Sequence, residues 1–150
     1  MKCEFCEKMY ETFVNHELLS NGCKLWIPSQ NEERQGGFDS MVMDRHFQVC
    51  CLQYKIPEYT KSRRPFWGGQ KVFKFYAHKD VSSNKYKQHN LLVQLNRMGI
   101  QAYYCAPHFI QCSDLYNNLA SLTLLSNSAL LKPIYKLTPS PSHVIEYDKS

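Results

Sequence analysis

Residues 39–55 read DSMVMDRHFQVCCLQYK. Two apolar stretches flank a polar turn at Asp44, Arg45 and His46, the pattern of a β-hairpin. Gly36 and Gly37 open the first strand, predicted over 38–43, and Pro57 closes the second, predicted over 47–56. The second strand is the more apolar of the two, which predicts a central position in a sheet. Asp39 therefore enters one strand while Gln53 and Lys55 leave the next. Side chains alternate along a strand, so Gln53 and Lys55 share a face and Tyr54 takes the other.

An Asp, a Gln and a Lys brought together in this way can hold a hard divalent cation beside a phosphate. Mg²⁺ takes one or two protein carboxylates and fills its octahedron with water and phosphate. Asp39 can be that carboxylate. The Gln53 amide oxygen is a neutral and weaker ligand, and Lys55 can stabilise negative charge on a phosphate. Each residue also has a plain structural reading. Asp39 can be a turn Asp bonding backbone beside the glycines, and Lys55 a strand-end Lys that reaches solvent.

Working outward, 3–20 reads as a helix with Phe5, Met9, Phe13 and Leu19 at helical spacing, ended by Asn21-Gly22. Residues 24–27 form a short strand and 31–37 a polar loop with Glu32 and Glu33. Residues 57–70 read as an irregular loop, 71–76 as a half-exposed strand, 85–98 as a helix with Leu91, Leu92 and Leu95 on its apolar stripe, and 100–106 as a strand. Ser113 reads as the N-cap of a helix over 113–122. The stretch 126–134 fits more than one state, and 143–147 fits a final edge strand. The pattern predicts an α/β sandwich with a mixed central sheet and helices on both faces. It fits one domain over 1–137, with 138–150 as a linker, edge strand or tail.

The motif Asp39…Gln53-Tyr54-Lys55, in an order of opening helix, three-strand meander, crossover helix and further strand, resembles the PD-(D/E)XK nuclease superfamily. The resemblance covers about residues 4–110. It implies the restriction-endonuclease-like three-layer sandwich and metal-dependent hydrolysis of phosphodiester bonds, with DNA favoured over RNA. It also implies Mg²⁺ or Mn²⁺ as cofactor and a role in defence against foreign DNA or in repair. Most members carry an acidic residue where this chain has Gln53, and the Gln variant occurs among methylation-dependent restriction enzymes. Carried over, the metal ligands are Asp39, Gln53 and the backbone carbonyl of Tyr54, with Lys55 at the phosphate. A further carboxylate often comes from the opening helix. Glu17, embedded in apolar neighbours, is the candidate and Glu11 the alternative. The crossover helix often offers a polar residue, here Gln88.

Formal net charge is +5 over 150 residues. Nine of the 18 Lys and Arg fall between Lys55 and Lys87, against two acids, Glu58 and Asp80, with aromatics interleaved. Such a tract suggests a polyanion. Lys61, Arg63, Arg64, Lys71 and Lys74 are its candidate phosphate contacts, and Trp67 is a candidate for stacking or for the core. The alternative is a solvated loop.

Seven cysteines without an export signal read as free thiols in a reducing compartment. Cys3 and Cys6 have the spacing of half a zinc site, which Cys105, His108 and Cys112 could complete only through the fold. There is no Walker loop, no G-x-S-x-G elbow and no HxxxH pair. No apolar run is long enough to span a membrane. The expectation is a soluble, cytoplasmic protein whose partner is nucleic acid, alone, as a homodimer or in a larger complex. The rival readings are a catalytically inactive nucleic-acid-binding module of the same fold, and a zinc-stapled interaction subunit.

Overall fold

The computed structural model describes residues 1–29, 31, 37–78, 85–138 and 142–149. The polar loop with Glu32 and Glu33, and the part of the basic tract at 79–84, lie outside the described residues. In chain order the elements are α1 (Glu7–Ser20), β1 (Lys24–Trp26), β2 (Ser40–Met43), β3 (Val49–Tyr54), β4 (Glu58–Lys61) and a 3-10 turn (Pro65–Trp67). They continue with β5 (Lys71–His78), α2 (Lys85–Arg97), β6 (Gln101–Pro107), α3 (Cys112–Ser121), β7 (Ser128–Leu131) and β8 (His143–Tyr147).

The hairpin of residues 39–55 is the centre of the fold. Asp44 closes its turn, its carboxylate accepting from the backbone N–H groups of His46 and Gln48, while Phe47 takes a left-handed φ of 62°. That turn fixes the register from Met43↔Val49 to Ser40↔Leu52. β1 extends the meander on one side. On the other, β6 runs parallel to β3, and β7 closes the edge antiparallel to β6. The mixed sheet has the order β1-β2-β3-β6-β7.

Alternation sends Val42, Leu52, Tyr54 and Cys105 to one face, against Tyr10, Val14 and Leu18 of α1 and Leu115 of α3. Cys51, Ala102, Tyr104 and Ala106 go to the other, against Leu92 of α2, Phe73 and Phe75 of β5 and Tyr147 of β8. Each fully buried Leu or Val in these layers stabilises by about 1.5–3 kcal/mol. The result is α/β, with a mixed central sheet between helices.

Several expectations are corrected. A second sheet, order β4-β5-β8 and antiparallel, joins α2 in covering one face. β4 lies inside the stretch read as irregular loop, because a four-residue strand with Tyr59 as its one apolar residue carries little hydrophobic pattern. The buried face of α1 runs through Tyr10, Val14 and Leu18, with Glu11, Asn15 and Glu17 also buried, whereas Leu19 is exposed. Asn15 is satisfied within the core, its Oδ1 accepting from Tyr54 Oη and Ser40 Oγ, while Glu11 accepts from the exposed Lys8 ammonium. Ser113 is not a cap. Gln111 stands at the N-cap of α3 without a side-chain bond, and the Glu4 carboxylate takes the Cys112 N–H at 2.8 Å instead. β8 is an edge strand, bound into the core by Tyr147, whose hydroxyl donates to the Pro107 carbonyl. Among the described residues no helix is long and apolar enough to cross a membrane.

Candidate active site

The ladder between β2 and β3 ends at Ser40↔Leu52. One step further, the same register sets Asp39 opposite Gln53. The Asp39 N–H still donates to the Leu52 carbonyl at 2.8 Å. The Tyr54 N–H, however, donates to the Asp39 carboxylate at 2.8 Å rather than to a strand partner. The two strands part here, and the Asp39 side chain bridges the opening.

Gly37 sets the approach to that point. Its φ is +74°, and an added Cβ would meet the Gln88 carbonyl at 2.8 Å and Leu91 Cβ at 2.9 Å. Only glycine fits such a close pass of backbone on α2. Asp39 is thereby held two residues from α2, and Gln88 meets this loop through its backbone.

Gln53 is 3% exposed. Its Oε1 has no hydrogen-bond partner among the described residues. Buried acceptors of this kind are rare in folded proteins and cost about 1–3 kcal/mol. Tyr54 points to the α1 face, its ring edge-on to Tyr10 and its hydroxyl on Asn15. Burial, with smaller contributions from the nearby Cys105, Glu11 and Asp39, pushes its hydroxyl pKa far up. Glu11 and Asp39 thus both lie within electrostatic reach of one ring.

Lys55 follows β3 directly. Its N–H continues the parallel ladder to the Cys105 carbonyl at 3.0 Å, and the residue is only 6% exposed. It does not reach solvent. Its Nζ lies 3.9 Å from Glu7 Oε2, an ion pair too long to be a hydrogen bond. Among the described residues Glu7 is the one counter-ion of this buried ammonium, and it is loosely placed.

The backbone places Asp39, Gln53 and Lys55 at one end of the central sheet, with the Asp39 carboxylate on the Tyr54 N–H and the Lys55 ammonium toward Glu7 of α1. It does not bring Glu17 to them. The Glu17 carboxylate accepts the N–H groups of Leu124 and Leu125 at 2.7 and 2.9 Å. The cause is local: Leu122 ends α3 with a left-handed φ of 53°, and the turn after it presents two donors to the buried face of α1. Glu7, about 15 Å away along the helix axis, is the α1 carboxylate at Lys55. Sequence reasoning missed it because Glu7 opens the helix in a run that looks like an exposed N-terminus.

The basic tract divides. Arg64 is a structural residue: its guanidinium donates to the Val144 carbonyl and lies 3.5 Å from Glu146. Lys74 stands directly opposite both Glu58 and Glu146 in its sheet. Lys61, Arg63 and Lys71 are exposed. Trp67 is half-buried, while its neighbour Phe66 is exposed. Cys3 is half-buried and Cys6 exposed, and burial pushes the Cys3 thiol up to about 11. Among the described residues no three His, Cys, Asp or Glu side chains form a metal-binding group.

Compared with protein-family models, curated proteins and solved structures, the chain matches none.

Proposed function

We propose that this chain is a metal-dependent nuclease of the PD-(D/E)XK superfamily, with the restriction-endonuclease-like fold, acting on DNA in preference to RNA. The observation that carries the reading is the position of Asp39 and Gln53 one step past the end of the β2–β3 ladder, where Gln53 Oε1 is a buried acceptor without a partner among the described residues. The element order and the parallel pairing of β3 with β6 support it.

Asp39, Gln53 and the Tyr54 carbonyl would hold Mg²⁺ or Mn²⁺, which polarises the phosphate and lowers the pKa of a bound water. A cation next to Gln53 Oε1 would satisfy the orphaned acceptor. Asp39 arrives oriented, because the Tyr54 N–H holds its carboxylate. Lys55 offers a positive charge where a phosphorane gains negative charge. Glu7 positions that ammonium from 3.9 Å, and a phosphate would complete its compensation.

A second reading keeps the nucleic acid and drops the chemistry. Gln53 replaces a carboxylate, and no group of three His, Cys, Asp or Glu forms among the described residues, which favours a binding module of the same fold.

Incubation with plasmid and with end-labelled single- and double-stranded oligonucleotides tests both. Cleavage in Mg²⁺ or Mn²⁺ that stops in chelator is expected. Binding without cleavage in either metal selects the second reading. Neither binding nor cleavage overturns both.

A further inference from the structure

The segment from Tyr59 to Lys74 holds five Lys and Arg and no acid. It forms the β4–β5 hairpin and its tip. The tip is tightly fixed. The Ser62 N–H donates to the Gln70 carbonyl at 2.9 Å, and the N–H groups of Trp67, Gly68 and Gln70 close successive turns on Arg64, Pro65 and Trp67. Ser62 Oγ donates to Glu146 at 2.7 Å and accepts from the Arg64 N–H. The Arg64 guanidinium pins the same loop to β8. Gly69, at φ +80°, brings the turn so close that an added Cβ would stand 3.1 Å from Lys61 Cε.

This rigid turn presents Phe66 to water at 86% exposure. Its ring stands at 80° to the Trp67 ring, with centroids 5.1 Å apart, so the two rings are not stacked on each other. Around it stand exposed cations. Lys61 and Lys71 are directly opposite in the ladder, an arrangement that costs stability unless an anion lies between them. Lys71 Nζ also sits 6.0 Å over the Tyr59 ring. A fixed, solvent-facing aromatic ring flanked by exposed cations that make no ion pair among the described residues suits a strand whose bases are unpaired: the ring stacks on a base and the cations take the adjoining phosphates.

We infer that the β4–β5 tip is a second nucleic-acid contact, in which Phe66 stacks on an unpaired base while Lys61, Arg63 and Lys71 hold its phosphates, giving the protein a preference for single-stranded or gapped nucleic acid over blunt duplex. This rests on the nuclease reading above for its partner, but on different residues.

The test is fluorescence anisotropy in chelator, with a labelled oligonucleotide of about 16 nucleotides, single-stranded and as blunt duplex. The parent binds the single strand more tightly. Phe66→Ala weakens that binding about tenfold and duplex binding less than about twofold. Phe66→Trp restores it. Arg63→Ala lowers the single-strand salt slope by about 0.7, the value of one phosphate. Phe66 is exposed, so its variants keep the parent's melting temperature. Equal losses of Phe66→Ala on both substrates, or none on either, overturn the inference while leaving the nuclease reading standing. A parent that binds neither substrate overturns both.

Discussion

The Asp39 carboxylate accepts the Tyr54 N–H at 2.8 Å, so one acidic side chain closes the gap that opens between two strands as they part. Beside it, Gln53 Oε1 is buried without a hydrogen-bond partner among the described residues. Whatever satisfies that oxygen stabilises the fold.

Gln53→Met removes the orphaned acceptor at similar volume. In chelator it raises stability by about 1 kcal/mol, and it abolishes the rise in Tm that Mn²⁺ gives the parent. Gln53→Glu behaves oppositely, less stable in chelator and more strongly stabilised by Mn²⁺. Thermal melts with and without metal distinguish them. A Gln53→Met protein that gains as much from Mn²⁺ as the parent would place the cation elsewhere.

Glu17→Ala strands the N–H groups of Leu124 and Leu125. It lowers unfolding free energy by about 2–5 kcal/mol, measured by urea denaturation. Cleavage per folded molecule stays at the parent's rate, because the carboxylate serves the turn after α3. A folded Glu17→Ala protein without activity would return Glu17 to the active site.

His89 sets an acid limit. Its Nε2 lies 2.8 Å from the Tyr135 carbonyl and its Nδ1 2.8 Å from Tyr104 Oη. A carbonyl only accepts, so Nε2 carries the proton and Nδ1 accepts from the tyrosine. Burial lowers the His89 pKa below the ordinary 6.5, against a smaller upward pull from the Tyr135 bond. Between the lowered value and 6.5 the unfolded chain binds a proton that the folded chain does not, so stability falls as pH falls through that window. The loss between about pH 7.5 and about pH 5 is smaller in His89→Leu, in urea titrations at the two values. An equal loss would assign the acid limit to another group.

The hairpin and its central strand were legible in residues 39–55, because period-two alternation and a polar turn report sheet geometry directly. The second sheet was not. β4 is too short to show a pattern, and the strands read over 71–76 and 143–147 carry no signal that they pair with each other rather than with the central sheet. Glu17 misled for a physical reason. A Glu among apolar neighbours is buried, as expected, but a buried carboxylate is satisfied as well by two backbone N–H groups as by a metal. Arg64 misled in the same way, since a guanidinium that fits a phosphate also fits a carbonyl and a carboxylate.

The most direct measurement of the central claim is metal-dependent cleavage by Asp39→Asn beside the parent. Asparagine keeps an oxygen for the Tyr54 N–H and removes only the charge, so the variant folds with a Tm close to the parent's. The account predicts that its rate falls by more than about a hundredfold, the worth of several kcal/mol of charge stabilisation. A folded Asp39→Asn protein that cleaves as fast as the parent in Mg²⁺ would contradict it.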